Sequence, residues 1–333
     1  MSDLRKFKAL VVEKTDGGEF VRKIVERSVD ELADGDLLIR VRYSSLNYKD
    51  ALSATGHPGV TRQFPHTPGI DAIGEVLSSE SDAFAFGEKI LVTGYDLGME
   101  TDGGWGEIIR IPSNWGVKLP AGLTEEEGMI IGTAGFTAAL SVFKLIQAGV
   151  KPADGDVLVT GATGGVGSIA VSILARTGYR VVAATGKSSE EEFLRTMGAA
   201  EVITREQLTA GSDRPMLKER WAGCVDAVGG DTLAAAIKGT RYGGAVTCCG
   251  LVGSAELPIN VFPFILRGVS LLGIDSVNCP YDLRLQVWQK LADEWKPERL
   301  KDVVTTVSLE GLEEKLQAIL RGEIRGRVLV KHS

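Results

Sequence analysis

Short apolar runs separated by glycine and proline fill residues 1–126 of the chain. The runs contain many β-branched residues and are bounded by turn residues, a pattern that favours strands over helices. Five runs are predicted as strands: FKALVVE, LLIRVRYSSL, GIDAIGEVL, KILVTGY and GEIIRIP. The N-terminal part of the chain is therefore predicted to be β-rich and partly barrel-like.

From Gly128 onward, apolar runs alternate with amphipathic stretches of helical spacing. Such an alternation is typical of parallel strands joined by crossover helices. Six strands are predicted, over residues 157–161, 180–184, 201–204, 224–228, 244–248 and 269–274. Together they predict one doubly wound parallel sheet and place the chain in the α/β class.

The end of the chain returns to the first pattern. Residues 282–295 and 309–321 have helical spacing, and RGRVLVKHS predicts a strand that can rejoin the N-terminal sheet. We therefore predict a discontinuous β-rich domain over residues 1–126 and 277–333, and a doubly wound domain over residues 127–276. A length of 333 residues is enough for two such domains.

Composition and charge argue against several classes of partner. A net charge of −7 and a pI near 5.3 disfavour nucleic acid and anionic membranes, whose phosphates need clustered Lys and Arg. The segment MSDLRKFKALVVEK lacks the apolar core of a signal peptide. The longest uncharged run, residues 128–143, is shorter than the ~20 residues that cross a bilayer. We expect a cytoplasmic protein with no nucleic-acid or membrane partner.

The cysteines and histidines show no metal-binding spacing. They are Cys224, Cys248, Cys249, Cys279, His57, His66 and His332. No CxxC, HxH or HExxH arrangement occurs among them. We therefore predict reduced thiols and no metal site.

A glycine-rich turn, in LVTGATGGVGSIAV, follows the first predicted strand of the parallel sheet. Glycines there let a pyrophosphate approach backbone N–H groups, and the N-terminus of the following helix attracts an anion. The pattern is A-x-G-x-x-G, because Ala162 occupies the first position, and a tight turn without a ligand is the alternative. A helix and then a second predicted strand, residues 180–184, follow the turn at the spacing of a dinucleotide-binding fold, which favours a dinucleotide as the ligand. The predicted contacts are Thr163, Gly164, Gly165 and Val166.

The second predicted strand ends in Thr185, Gly186, Lys187 and Ser188, where NAD-selective folds carry an Asp or Glu. A lysine pairs with a 2′-phosphate, and the hydroxyls donate hydrogen bonds to it. The sequence therefore predicts NADP(H) as the cofactor, with Thr185, Gly186 and Lys187 as contacts. Arg205, just after the third strand, either adds a cation or stacks on the adenine, or is a solvated surface residue.

Eight segments resemble the medium-chain dehydrogenase/reductase superfamily and occur in its order: SSLNYKDAL, FPHTPGIDAIGEV, GGWGE, IIGTAGFTAAL, VTGATGGVG, CGLVG, PFILRGVSLLGIDSV and GRVLVK. The chain is most similar to the zinc-free quinone oxidoreductase branch and, within it, to the NADPH-dependent acryloyl-CoA reductases. The resemblance covers essentially the whole chain. It implies a GroES-like catalytic domain, a Rossmann domain, NADPH/NADP+ as cofactor and a homodimer joined through the edge strand 269–274.

The resemblance also implies that no metal takes part. Zinc alcohol dehydrogenases of the superfamily carry a Cys in the segment aligned with LNYKD and a His-Glu pair in the segment aligned with PGIDAIG. This chain has Asn47 in the first and Ile70-Asp71 in the second. Without a Lewis acid, the chemistry that remains is hydride addition to an activated C=C bond.

The resemblance assigns the nicotinamide end of the site residue by residue. Asn47 and Tyr48 are expected beside the ring, where Tyr48 donates to a developing enolate oxygen, relays a proton, or only packs. Asp50 and Asp71 are expected to brace this loop. Further contacts are expected from Thr133, Thr137, Leu251, Ile265 and Ser276. Arg327 is expected either to meet a phosphate or to form a salt bridge at the rim.

Three functions are compatible with the sequence. The first is NADPH-dependent reduction of a short enoyl-CoA, most simply acryloyl-CoA to propanoyl-CoA, with Arg62, Arg325 and Arg327 as candidate partners of the CoA phosphates. The second is an NADPH:quinone oxidoreductase, whose flat acceptor needs an aromatic lining. The aromatic candidates are Tyr48, Phe64, Tyr95 and Trp105. The third is a non-catalytic NADPH-binding protein.

Overall fold

The computed structural model describes residues 6–333, which form two compact units. The first unit runs to Thr133 and resumes at Leu300, and the second is Ala134–Arg299. The strands are β1 (Lys6–Lys14), β2 (Phe20–Ser28), β3 (Leu37–Leu46), β4 (Asp71–Ser79), β5 (Lys89–Thr93), β6 (Ile108–Ile111), β7 (Val117–Lys118), β8 (Val157–Val159), β9 (Val181–Thr185), β10 (Glu201–Thr204), β11 (Trp221–Asp226), β12 (Thr240–Cys248), β13 (Ser270–Gly273), β14 (Val304–Val307) and β15 (Arg327–Lys331). The helices are α1 (Tyr48–Ala54), α2 (Glu125–Gln147), α3 (Gly165–Arg176), α4 (Glu191–Thr196), α5 (Arg205–Thr209), α6 (Gly230–Lys238), α7 (Phe262–Arg267), α8 (Tyr281–Ala292) and α9 (Leu312–Leu320).

The first unit is built on antiparallel pairing. Strands β1 and β2 form a hairpin, and a larger sheet has the order β14-β15-β3-β4-β5-β7, with β6 paired to β3. Strand β15 pairs antiparallel with β3, with Val328 opposite Leu46, so the predicted return of the C-terminal strand to the N-terminal sheet is confirmed. Leu312 and Leu316 of α9 pack on Val328 and Val330 of β15. This pairing brings Arg327, the first residue of β15, close to the end of β3.

The second unit contains the predicted doubly wound sheet. Its order is β10-β9-β8-β11-β12-β13, and every neighbouring pair is parallel. Strands β8, β9 and β11 are buried along their full length, as expected of a sheet covered by helices on both faces. Successive strands are added in one direction from β8 to β10 and in the opposite direction from β11 to β13, so the order reverses between β8 and β11. Such a switch point is where open α/β sheets bind ligands.

Helix α2 is interrupted at Gly132, whose φ of 49° and ψ of −157° are not helical. A Cβ atom at this position would lie 2.6 Å from Asp71 Oδ2 and 2.8 Å from Arg327 Nη2, so only glycine fits. By length and composition α2 could cross a membrane, but most of it is buried inside the fold. That burial is typical of a core helix of a soluble protein.

The units differ from the predicted domain limits in two segments, the larger of which is residues 277–299, which group with the second unit. The reason is aromatic packing. Trp288 of α8 stacks on Phe136 of α2 with ring centroids 5.8 Å apart, and Trp295 packs edge-on against Phe143 at 6.4 Å. The boundary within α2 also lies later than predicted, between Thr133 and Ala134.

Candidate active site

Asn47 caps the short helix α1 and sets the position of Tyr48, the first residue of that helix. The Asn47 backbone N–H donates to Asp50 Oδ2 at 2.7 Å, and Asp50 Oδ1 accepts from the Ile70 N–H at 2.7 Å. This is the carboxylate half of a capping box. The Tyr48 side chain is 36% exposed. The helix start is therefore fixed from inside the unit, while the phenol remains accessible.

The side-chain amide of Asn47 is used within the first unit. Its Nδ2 donates to Asp71 Oδ2 at 2.9 Å and to Ser45 Oγ at 3.1 Å, and its Oδ1 accepts from Arg327 Nη1 at 3.0 Å. Asn47 is also buried. The geometry assigns Asn47 a positioning role, and its expected place beside the nicotinamide stays a prediction.

Asp71 is fully buried and is surrounded by donors. Ser45 Oγ donates to Oδ2 at 2.6 Å, while Thr133 donates to Oδ1 through its hydroxyl at 2.6 Å and its backbone N–H at 3.0 Å. The carboxylate thus ties β3 and α1 to the chain just after Gly132. Because the Thr133 hydroxyl donates to Asp71, it can meet a ligand only as an acceptor, and its expected contact with the cofactor stays a prediction.

Arg327 is 3% exposed, and its guanidinium donates only to interior groups. Nε donates to the Ile130 carbonyl at 2.9 Å, Nη2 donates to Ser45 Oγ at 2.9 Å, and Nη2 also lies 3.6 Å from Asp71 Oδ2. The expected salt bridge is therefore an interior one with Asp71 and does not lie at a rim, because the strand pairing that buries β15 carries Arg327 into the unit. The expected phosphate contact of Arg327 stays a prediction.

Asp50, Asp71 and Arg327 place two carboxyl groups and one guanidinium in the same interior region. Burial raises the pKa of Asp50 to about 7, and repulsion from Asp71 adds to the rise. Burial also lowers the pKa of the Arg327 guanidinium, although both carboxyl groups oppose that change. Asp50 is therefore the carboxyl group of this region that takes up a proton near neutral pH.

The glycine turn of the second unit leads from β8 into α3. The first N–H groups of a helix have no acceptor within the helix. In α3 the N-cap is Gly164, which has no side chain that could accept from them. A Cβ atom on Gly164 would meet only the Gly161 carbonyl oxygen, at 3.4 Å, whereas one on Gly167 would lie 2.3 Å from that oxygen. Gly167 is therefore needed for close packing of α3 on the turn, while Gly164 leaves open space. Thr163 is buried beside them, and Gly165 and Val166 are half-buried. The turn fits a pyrophosphate.

The structure brings the predicted 2′-phosphate residues together. Thr204 of β10 lies opposite Thr185 of β9, so Arg205 follows beside Gly186. A Cβ atom on Gly186 would lie 2.8 Å from Arg205 Nη2. The Lys187 N–H donates to Thr185 Oγ1 at 3.0 Å, which fixes the turn. The Arg205 guanidinium therefore lies beside Gly186, and Lys187 is the next residue of the chain, so the turn after β9 carries two cationic residues, which suits a dianionic phosphate.

Thr137 and Ser276 also meet, since the Thr137 hydroxyl donates to Ser276 Oγ at 2.8 Å. Leu251 and Ile265 are 65% and 71% exposed, which leaves both open to a ligand. Among the candidate partners of a CoA phosphate, Arg62 is exposed and lies 3.8 Å from Glu100 Oε1, and Arg325 is exposed.

Asp226 is a buried carboxyl group that the sequence analysis missed. At the end of β11 it accepts from Thr160 Oγ1 at 2.6 Å and from the Gly229 N–H at 2.8 Å. Burial raises its pKa. The residue joins the ends of β8 and β11 at the switch point. An acid that ends the otherwise apolar strand WAGCVD was the available signal.

The four cysteines are free, and burial raises the pKa of the Cys249 thiol to about 12. Within residues 6–333, no three His, Cys, Asp or Glu side chains are grouped to hold a metal ion.

Two family models match the chain. Residues 33–121 match the alcohol dehydrogenase GroES-like domain, and residues 165–293 match the zinc-binding dehydrogenase family. The chain is 47% identical over 328 residues to YhfP of Bacillus subtilis, which is provisionally named a quinone oxidoreductase, with 98% of each chain covered. It is 42% identical over 325 residues to the acrylyl-CoA reductase AcuI of Ruegeria pomeroyi, with 97% of this chain and 98% of AcuI covered.

Solved structures extend the likeness to the fold. The Salmonella enterica yhdH oxidoreductase in complex with NADP matches with a TM-score of 0.95 and 41% identity, over 98% of this chain and all of the other. The YhfP structure, with NAD bound, also gives a TM-score of 0.95, at 46% identity over 98% of this chain and 99% of the other. The chain therefore belongs to the medium-chain dehydrogenase/reductase superfamily, in the zinc-free quinone oxidoreductase branch that contains AcuI and YhfP.

Proposed function

We propose that the protein is an NADPH-dependent oxidoreductase that reduces the C=C bond of a short α,β-unsaturated acyl-CoA, with acryloyl-CoA as the substrate and propanoyl-CoA as the product. The cofactor assignment rests on the Arg205 guanidinium beside Gly186, at the turn whose next residue is Lys187. Relatives crystallised with NADP and NADPH support it. The acyl-CoA part is supported by the 42% and 43% identity to acrylyl-CoA reductases.

The residues of the second unit would hold the two ends of the cofactor. The open backbone at Gly164 and the uncapped N-terminus of α3 suit the pyrophosphate. Lys187 and Arg205 suit the 2′-phosphate. The hydrogen-bonded pair Thr137–Ser276 suits the nicotinamide end, with Leu251 and Ile265 as apolar contacts.

When bound, NADPH supplies a hydride, which the β-carbon of the substrate accepts. Negative charge then develops on the thioester oxygen, and we assign the Tyr48 hydroxyl to donate a hydrogen bond there. A proton from Tyr48 or from water completes the reduction at the α-carbon. One NADPH and one proton are consumed for each propanoyl-CoA and NADP+ formed. The exposure of the Tyr48 ring and the fixed start of α1 suit this role.

A quinone oxidoreductase is the second candidate, favoured by the 47% identity to YhfP. A flat acceptor needs exposed aromatic faces, and the aromatic candidates of the first unit are largely engaged. Trp105 is fully buried and donates its indole N–H to the Ser45 carbonyl at 3.1 Å. Tyr95 stacks on Trp115, with ring centroids 5.2 Å apart, and Phe64 packs on Phe20. This engagement favours the thioester.

Oxidation of NADPH by the purified protein distinguishes the candidates. Acryloyl-CoA, crotonyl-CoA and a small quinone are offered in parallel, each with NADPH and with NADH, and the absorbance of the reduced nicotinamide is followed. We expect the fastest turnover with acryloyl-CoA and NADPH. Preference for the quinone would select the second candidate. Binding of NADPH without turnover of any acceptor would select a non-catalytic binding protein.

We also propose a cytoplasmic homodimer joined through β13. This strand ends the parallel sheet, and three of its four residues are exposed. An uncovered apolar strand edge favours pairing with another chain. Sedimentation equilibrium tests the dimer, and Leu271→Lys, placed on the edge strand, should shift the protein toward the monomer.

A further inference from the structure

Helix α8 carries a charged residue on its apolar face. Its buried positions are Arg284, Val287, Trp288, Leu291 and Ala292. This is the i, i+3, i+4, i+7 spacing of a stripe that packs on a core. Arg284 therefore occupies a stripe position that normally takes an apolar side chain, and it is fully buried.

The guanidinium of Arg284 contacts the segment that follows β13. Nη2 donates to the Ser276 carbonyl at 3.0 Å and to the Val277 carbonyl at 2.9 Å. The same group lies over the Phe136 ring, 5.0 Å from its centroid. Phe136 immediately precedes Thr137, whose hydroxyl donates to Ser276 Oγ. Arg284 therefore contacts the segments on both sides of the Thr137–Ser276 hydrogen bond.

A second set of bonds holds the same segment through its N–H groups. Asp275 Oδ1 accepts from the N–H of Val277 at 2.9 Å and from the N–H of Asn278 at 3.1 Å. The carbonyls point to Arg284 while the amides point to Asp275. The backbone at Ser276 is therefore held from two directions.

Stability alone gives little reason for an arginine at this position. Moving a guanidinium out of water is costly, and replacing buried charges with packed apolar residues is often neutral or stabilising. What arginine adds is a single NH₂ group, Nη2, that donates to two neighbouring carbonyls at once while the guanidinium lies over the Phe136 ring. A methionine or leucine would fill the space and leave those carbonyls unheld.

We propose that Arg284 is a positioning residue for the nicotinamide end of the cofactor site, where it holds the backbone at Ser276 so that the Ser276 and Thr137 hydroxyls present a fixed pair to the ligand. This inference rests on the proposed function, because it takes Thr137 and Ser276 as contacts of bound NADPH. It adds to that function a residue on α8, outside the strands and turns of the dinucleotide fold.

The test uses two ligands to distinguish binding at the nicotinamide end of the site from binding at the adenosine end. NADPH probes both ends, and adenosine 2′,5′-bisphosphate probes only the adenosine end. Calorimetry gives the Kd of each ligand for the wild type, Arg284→Met and Arg284→Lys, and Tm is recorded for each protein. Arg267→Met is the matched control, since Arg267 also donates to backbone carbonyls of the second unit, those of Leu217 and Lys238.

We expect Arg284→Met to raise the Kd of NADPH about tenfold, as for loss of a charge-assisted hydrogen bond, while the Kd of the bisphosphate changes by less than about twofold. Arg284→Lys should recover part of the loss. Arg267→Met should lower Tm without changing the ratio of the two constants. An unchanged ratio in Arg284→Met, or an equal change in Arg267→Met, overturns the proposal.

Ser276→Ala keeps the test decisive if Arg284→Met does not fold. If both residues act on one contact, Arg284→Lys should weaken NADPH binding much less in the Ser276→Ala background than in the wild type. Additive effects contradict the proposal. Failure of the cofactor assignment in the proposed function has a different signature, because the wild type would then bind neither ligand.

Discussion

Asp71 and Arg327 lie side by side in the interior of the first unit, with Oδ2 and Nη2 3.6 Å apart and with 0% and 3% of their side chains exposed. Two buried charges are tolerated when they are paired and hydrogen-bonded. Ser45 serves both partners, since its Oγ donates to Asp71 and accepts from Arg327 Nη2. Each of the two buried charges is therefore stabilised only while its partner is present.

Loss of the arginine alone should be strongly destabilising. Arg327→Met leaves the Asp71 carboxylate buried without its counter-charge, so we expect the free energy of unfolding to fall by about 3–5 kcal/mol. Asp71→Asn in the same chain should recover part of that loss. Chemical denaturation measures both variants. Reduced NADPH affinity at unchanged stability would instead support a phosphate-binding role for Arg327.

Asp50 should make stability depend on pH. Its pKa in the folded protein is about 7, above the ~3.9 of an unfolded aspartate. Between those values the folded state binds a proton that the unfolded state lacks, so this contribution is complete below about pH 4 and is lost as the pH rises toward 7. Asp50→Asn removes this pH-dependent contribution to the free energy of unfolding, which is at most about 4 kcal/mol. Denaturation curves of the wild type and the variant between about pH 5 and pH 8 test this, and parallel pH profiles would contradict it.

Lys187→Asp should shift cofactor preference from NADPH toward NADH. The change removes a cation beside the proposed 2′-phosphate site and adds a repelling charge. The preference for NADPH over NADH should therefore fall by about 1.5–3 kcal/mol or more, the contribution of one charge-assisted pair. The ratio of kcat/KM for the two cofactors measures it. Lys151→Asp, an exposed lysine of the same unit, controls for net charge. An unchanged ratio removes Lys187 from the site.

Tyr48→Phe should lower kcat more than it raises KM, if the hydroxyl acts mainly in the transition state. The loss should be roughly 10²-fold, the lower range for a missing hydrogen-bond donor to a developing oxyanion. Steady-state kinetics with acryloyl-CoA give both constants. Wild-type kinetics in the variant would leave Tyr48 with a packing role only.

Dialysis against EDTA should leave activity unchanged, because the chemistry proposed needs a hydrogen-bond donor and no Lewis acid. Metal analysis of the dialysed protein accompanies the assay. Loss of activity that added zinc restores would overturn the metal-free mechanism.

Most elements of the parallel sheet could be predicted because their signals are local. Buried parallel strands are continuous apolar runs, and the turn before α3 needs glycine for backbone reasons alone. Strand β2 was not predicted, since FVRKIVERS carries charged residues and is largely exposed or half-buried on its hairpin. The association of α8 with the second unit depends on the stacking of Trp288 on Phe136, which helical spacing cannot reveal.

The residue types that a dinucleotide site needs could be predicted from the sequence: glycines at the turn before α3, Thr185 at the end of β9, Lys187 just after it, and no acid between them. These depend on neighbours in the chain. Only the tertiary structure decided where Arg327 lies, because pairing of β15 with β3 joins residues 280 positions apart and buries the guanidinium against Asn47. A side chain's type limits what it can bind, whereas burial and partners from distant segments decide what it does bind.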